Sequence, residues 1–60
     1  SNLLKIQYAQ KLIKETSLTI AEIAQEIGID DPYYFSKLFK NKTGLTPTQY
    51  KNEIDYRELE

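Results

Sequence analysis

The chain carries a helix end and a helix start only a few residues apart, near its middle. Gly28 follows a run of apolar residues at helical spacing and is the expected left-handed residue that ends that helix. Asp31 and Pro32 are residue types preferred at an N-cap and at the first helical position, so the next helix is expected to begin there. Two helices joined by so tight a turn are typical of a helix-turn-helix unit. This feature predicts a helical bundle and disfavours any fold built on strands.

Capping boxes mark the starts of two helices. Thr19 and Glu22 have the spacing at which each side chain satisfies a free backbone N–H group of the helix end, and Thr46 and Gln49 repeat that spacing. Together with the helical periodicity of the N-terminal quarter, these signals predict an all-α, homeodomain-like helix-turn-helix bundle. Its four helices are expected at 3–15, 19–27, 31–43 and 47–56.

The third predicted helix, 31–43, has two unlike faces. Helical spacing groups its large apolar residues on one side and a set of polar residues on the opposite side. The apolar side is expected to join other apolar residues in the core: Ile20, Ile23, Ala24, Ile27, Phe35, Leu38, Phe39 and Tyr50. The opposite side carries Tyr33, Ser36, Lys37 and Lys40.

Charge is unevenly distributed along the chain. The net charge is −1, whereas DNA-binding domains are usually basic. Residues 32–51, however, contain four lysines and no acidic residue, while residues 52–60 contain four acidic residues and one arginine. A purely basic stretch therefore coincides with the third predicted helix, and it keeps nucleic acid among the candidate partners.

The second helix of a helix-turn-helix can lie in the DNA major groove. The polar side of helix 31–43 is therefore expected to contact DNA bases and phosphates. Tyr33, Ser36 and Lys37 lie toward its N-terminal half and are expected to contact base edges. Lys40 and Lys42 lie further along and are expected to contact phosphates.

Helix starts supply further phosphate candidates. Thr19 and Thr46 each begin a helix, and free N–H groups at a helix N-terminus suit phosphate oxygens. Tyr34 lies on the flank of helix 31–43, where packing and phosphate contact are equally compatible with the pattern.

Composition weighs against catalysis, cofactors and metals. The chain has no histidine and no cysteine, so the commonest general base and the commonest metal ligands are absent. It contains no glycine-rich phosphate loop or paired-carboxylate constellation either, and we expect no catalytic residue, no metal site and no cofactor. No apolar run approaches the length of a membrane helix, and no signal-peptide pattern is present, so a cytoplasmic location is expected.

A longer motif covers most of the chain. Residues 19–51 read TIAEIAQEIGIDDPYYFSKLFKNKTGLTPTQYK. This stretch resembles the second helix-turn-helix of AraC/XylS-type transcriptional regulators. The features that carry the resemblance are Ile23-Ala24, Gly28, Tyr34-Phe35-Ser36-Lys37, Phe39-Lys40, Gly44, Thr46-Pro47 and Tyr50-Lys51. Lys5-Ile6, Ala9 and Leu12-Ile13 resemble the preceding linker helix of that family, and DPYYFSKLFKN is similar to AraC-type response regulators of Gram-positive bacteria.

The resemblance implies one part of a bacterial transcription factor that binds double-stranded DNA. Such a regulator holds two helix-turn-helix units joined by a long helix, so a first unit and a regulatory domain would be further partners. The chain 1–60 then divides into a linker helix at 1–16, the helix-turn-helix at 19–43, and a bracing helix with an acidic tail at 46–60. The family's base and phosphate contacts map onto Pro32, Tyr33, Ser36, Lys37 and Lys40, which adds Pro32 as a base contact.

The chain departs from the family pattern at several positions, one of which is in the predicted core. Ile29 stands where the family usually has an aromatic residue, and we expect that corner of the core to stay apolar. The alternative to DNA binding is a protein-interaction or self-association module that uses an exposed face of helix 3–15. The residues expected on that face are Leu3, Leu4, Ile6 and Tyr8.

Overall fold

The computed structural model describes residues 2–59 and contains four helices. They are α1 (Asn2–Glu15), α2 (Ile20–Glu26), α3 (Pro32–Thr43) and α4 (Pro47–Glu58). Residues 2–59 contain no strand, which confirms the all-α prediction. The largest boundary difference is at the end of α4, which was predicted at residue 56 and lies at Glu58. Ser1 and Glu60, which the predicted domain includes, lie outside the described residues.

The end of α2 shows why the turn is so short. Gly28 has a φ of +86°, the left-handed conformation predicted for it. Its N–H donates to the Gln25 carbonyl at 3.0 Å, and the Ile29 N–H donates to the Ala24 carbonyl at 2.8 Å. These two bonds form a Schellman motif, in which the residue after the glycine packs back on the helix. Ile29 is accordingly buried, as expected for that apolar corner.

The core is formed by apolar side chains from the first three helices and the turn after α2. Its buried members are Ile6, Ala9, Ile13, Ile23, Ala24, Ile27, Ile29, Phe35 and Phe39. Three residues predicted as core, Ile20, Leu38 and Tyr50, are only partly buried and pack at its edge. Ala24 is fully buried, and its small side chain permits close approach of the neighbouring helix.

Aromatic contacts join α3 to α4. The rings of Phe35 and Phe39 meet edge to face with centroids 5.8 Å apart, and the rings of Phe39 and Tyr50 do so at 5.5 Å. Such pairs contribute about 0.5–1.5 kcal/mol beyond burial of their surface. The apolar side of α3 is thus anchored both in the core and against the fourth helix.

The outer face of α1 differs from the face that the sequence predicted. Leu3, Leu4 and Tyr8 are 53%, 65% and 47% exposed, but Ile6 is only 1% exposed. Its assignment to the exposed face was wrong, because the helix rotation that exposes Leu4 and Tyr8 turns Ile6 into the core. Within residues 2–59, no helix has both the length and the apolar character required to cross a membrane.

Candidate nucleic-acid interface

The third helix separates anchoring residues from presented residues. Phe35 and Phe39 are fully buried, whereas Tyr33 on the other side is 68% exposed and Lys37 and Lys40 are exposed as well. Fully burying a large apolar side chain contributes about 1.5–3 kcal/mol, so these two phenylalanines fix the rotation of α3 about its axis. The outward face is therefore presented in one orientation.

The start of α3 is fixed by its cap. Asp31 has extended backbone angles, and its Oδ1 accepts a hydrogen bond from the Tyr33 N–H at 3.0 Å. Pro32 is the first helical residue and is exposed. The N–H group at this position has no partner within a helix, so the proline costs no helical hydrogen bond. Pro32 and Tyr33 consequently lie at the exposed N-terminal tip of the helix.

Tyr33 and Lys37 are in direct contact. The Lys37 Nζ lies 5.1 Å from the centroid of the Tyr33 ring, within the range of a cation–π interaction. The periodicity predicts that both residues share one face of the helix, but it does not predict the contact between their side chains. The signal was their four-residue spacing, which brings side chains together on a helix surface.

The other predicted contacts along α3 differ in accessibility. Ser36 is only half-buried, so its hydroxyl is less available than the Lys37 ammonium. Lys40 and Lys42 are exposed in the last turn, where their charges also favour the negative end of the helix dipole.

Tyr34 lies beside acidic residues. It is 52% exposed and lines a shallow hollow together with Lys5, Ile29, Asp30 and Asp31. Lys5 offsets one of the two aspartates, so the lining keeps a formal charge of about −1, which opposes the approach of a phosphate. Across residues 2–59 as a whole, no group of three acidic, histidine or cysteine side chains is placed to hold a metal ion.

Thr46 begins α4 through a complete capping box. Its Oγ1 accepts from the Gln49 N–H at 3.1 Å, while its own N–H donates to Gln49 Oε1 at 3.0 Å. Pro47 follows at the first helical position. The neutral Gln49 adds no charge to this helix start, which keeps the positive end of the helix dipole available to an anion.

The loop before α4 is held by a threonine that sequence analysis did not single out. Thr43 Oγ1 lies 2.9 Å from the Phe39 carbonyl oxygen and 3.0 Å from that of Leu45, and it accepts from the Leu45 N–H at 3.2 Å. Gly44, with a φ of +88°, donates its N–H to the Lys40 carbonyl. These contacts fix the direction in which the chain leaves α3 for α4.

Thr19 begins α2 through the second capping box. Its Oγ1 accepts from the Glu22 N–H at 3.1 Å, and its N–H donates to Glu22 Oε1 at 2.8 Å. The hydrogen bond from the Thr19 backbone, followed by that with its side chain, holds the pKa of Glu22 below its ordinary value of 4.5. Glu22 is therefore negative at neutral pH, and its charge opposes a phosphate at Thr19.

The chain is similar in sequence to known regulatory proteins. Residues 13–51 match the bacterial regulatory helix-turn-helix proteins of the AraC family. The chain is 41% identical over 51 residues to the MmsAB operon regulatory protein of Pseudomonas aeruginosa, covering 85% of this chain and 17% of that protein. It is 39% identical over 49 residues to the HTH-type transcriptional activator RhaR of an Enterobacter species, covering 82% of this chain and 17% of that protein.

A solved structure shares the fold as well. The C-terminal domain of AraT, a response regulator from Geobacillus stearothermophilus, superimposes with a TM-score of 0.84 at 36% sequence identity. The match covers 87% of this chain and 43% of that domain. The present chain spans less than half of the solved domain and about a sixth of the curated relatives that it matches.

Proposed function

Because the chain belongs to the AraC family of bacterial regulatory helix-turn-helix proteins, we propose that it binds double-stranded DNA with α3 in the major groove. It acts there as one DNA-binding unit of a transcription regulator. The observation that carries the proposal is the division of α3 into a buried aromatic side and an exposed side bearing Tyr33, Lys37 and Lys40. A recognition helix needs this division, since one side must anchor it while the other meets base edges.

Base contacts are assigned to the N-terminal half of α3. Lys37 donates to guanine O6 or N7, and Ser36 bonds to a base edge of either kind. Pro32 and Tyr33 at the exposed tip complete the set through apolar or hydroxyl contacts. These four residues determine sequence preference.

Phosphate contacts are assigned mainly to the other end of α3 and to the start of α4. Lys40 and Lys42 supply charge, while Thr46 supplies a helix N-terminus that no acidic side chain caps. Thr19 and Tyr34 are also predicted to contact phosphates, but with a smaller contribution to affinity than Lys40, Lys42 and Thr46. Their contribution is smaller because acidic residues lie next to them: Glu22 beside Thr19, and Asp30 and Asp31 beside Tyr34.

The proposed role is binding within a larger regulator, with no catalytic step. The relatives are named as regulators and activators, and each extends well beyond the matched segment. We assign the first helix-turn-helix unit and a regulatory domain of the parent protein as partners, and the bacterial cytoplasm as the location. Covalent linkage to that first unit raises the apparent affinity of the present unit through effective concentration.

The test is fluorescence anisotropy of labelled duplex DNA, with random and candidate promoter sequences, across a salt series. Lysine contacts release counterions, so the log–log slope of affinity against salt is expected at about −3 to −4 for roughly four neutralised phosphates. Binding that is absent, or that does not change with salt, contradicts the proposal for this chain.

Self-association is a second candidate function, favoured by the exposed Leu3, Leu4 and Tyr8 on α1. A second copy of the chain would cover this apolar surface and remove it from water. Sedimentation equilibrium at increasing protein concentration tests it. A mass that rises toward a dimer supports self-association, and a constant monomer mass at the highest concentration rejects it.

A further inference from the structure

The contact between Tyr33 and Lys37 has a use within the proposed DNA-binding function, on which this inference rests. We propose that Tyr33 is a positioning residue whose ring holds the Lys37 ammonium at the N-terminal tip of α3, where the ammonium reads a base edge. The cation–π distance of 5.1 Å and the exposure of both side chains carry this inference. Tyr33 thereby contributes to sequence preference chiefly through Lys37.

The direction of the Lys37 side chain is central to the inference. Side chains of a helix lean toward its N-terminus, so a lysine four residues after a tyrosine extends back over the ring. One helical turn advances about 5.4 Å, so the Tyr33 ring, about one turn before Lys37, holds the ammonium on the side of Lys37 that is nearer the start of α3. Recognition helices contact base edges mainly with their N-terminal residues.

Holding the ammonium in place has an energetic consequence. A free lysine side chain populates many rotamers, and binding must order it at a cost in conformational entropy. A ring beneath the ammonium removes part of that cost before DNA arrives. The ammonium covers one face of the Tyr33 ring, so the other face, the edge and the hydroxyl can make contacts of their own.

The chain supplies matched controls for both members of the pair. Tyr34 is exposed in the same turn and lies three residues before Lys37, but among residues 2–59 the Lys37 ammonium lies over the ring of Tyr33 and not over that of Tyr34. Lys40 is exposed on the same helix, but the residue four positions earlier is Ser36 rather than an aromatic residue. Effects specific to the stack must therefore appear at Tyr33 and Lys37 and be absent at Tyr34 and Lys40.

The first experiment detects the stack without DNA, by NMR of the 60-residue chain. Protons near the face of an aromatic ring shift upfield, so the ε-methylene protons of Lys37 are expected upfield of those of Lys40. Y33L should abolish the difference, while Y33F and Y34L should keep it. Lys37 resonances that match those of Lys40, or that are unchanged in Y33L, overturn the inference.

The second experiment measures sequence preference by selection from a pool of random duplexes followed by sequencing. K37A should abolish the base preference at the position that Lys37 reads. Y33L is expected to lower discrimination at that position by on the order of three-fold, the small effect typical of an exposed cation–π contact. Y33F should retain discrimination. At that same base position, the double variant Y33L/K37A should discriminate no worse than K37A, because Tyr33 acts there through Lys37 alone.

The outcomes separate this inference from the proposed function. If the wild-type chain selects a sequence and Y33L leaves the preference unchanged, DNA binding stands and the positioning role falls. If Y33F loses as much as Y33L, the hydroxyl contacts DNA directly and the positioning role also falls. A wild-type chain that selects no sequence overturns both. Far-UV circular dichroism of each variant excludes loss of helix as the cause.

Discussion

Gly28 determines whether α2 can end where it does. Its φ of +86° is strained for any residue with a Cβ, although a Cβ built there meets nothing within 4 Å. We therefore expect Gly28→Ala to lower the free energy of unfolding by about 1–2 kcal/mol through backbone strain alone. Urea denaturation followed by circular dichroism measures it. Gly28→Asn is the control and should lose less, since asparagine tolerates this conformation; equal losses would contradict the strain argument.

Lys40 is proposed to contact a phosphate, whereas Lys37 is proposed to contact a base. Lys40→Ala is expected to weaken binding to all sequences alike and to make the salt slope shallower by about 0.9, the value of one phosphate. Anisotropy titrations on two unrelated duplexes measure both effects. Lys14→Ala is the matched control, because Lys14 occupies the last turn of α1 as Lys40 occupies that of α3. A loss confined to one sequence would instead assign Lys40 to a base.

For the individual residues of α3, the sequence predicts the side of the helix on which each one lies, but it does not predict every contact that the residue makes. Periodicity correctly separates Phe35 and Phe39 from Lys37, because the helix repeat alone decides which residues share a face. The Tyr33–Lys37 stack and the partial burial of Ser36 depend on rotamers and on neighbouring helices, which periodicity does not contain.

Among the helices, α2 and α4 begin with the same capping geometry but different chemistry. Glu22 has a pKa below 4.5 in the folded chain, so its stabilising contribution is fully present above the unfolded value and is lost as pH falls through the folded pKa. Gln49 has no such dependence, because its amide does not titrate.

This difference predicts an exchange of pH behaviour between the two caps. Glu22→Gln should keep the capping box and remove its part of the acid-induced loss of stability, while Gln49→Glu should add a similar loss at the start of α4. Thermal unfolding by circular dichroism between about pH 3 and 7 measures both variants. Parallel stability curves for wild type and Glu22→Gln below pH 4.5 would show that the carboxylate contributes nothing there.

The helix boundaries are predicted best from the sequence, because the residues that start and end a helix lie close together along the chain. The capping boxes at Thr19 and Thr46 and the left-handed Gly28 are all found where the pattern places them. The rotation of α1 was predicted less well, and Ile6 was assigned to the wrong face. Its position depends on where α1 meets the other helices, which no local signal specifies. The Thr43 contacts were missed because a threonine at a helix end has several partners available.

For the whole molecule, the separation of charge matters more than the net charge of −1. Residues 32–51 contain four lysines and no acidic residue, whereas the second half of α4 contains Glu53, Asp55 and Glu58. Charges farther apart than a Debye length of about 8 Å interact only weakly at physiological salt. The acidic end should therefore repel DNA at low salt without changing the local contacts of α3.

The resulting prediction concerns a variant with two acids neutralised, Asp55→Asn with Glu58→Gln. Both are exposed, and the change spares the Glu53–Arg57 ion pair, whose closest atoms lie 3.5 Å apart. We expect DNA affinity to rise about two- to five-fold at roughly 50 mM salt and the gain to vanish near 300 mM, because only a long-range field is altered. Anisotropy titrations at both salt concentrations measure the effect. A gain that persists at high salt would mean that the end of α4 contacts DNA directly, which would extend the interface beyond α3 and the start of α4.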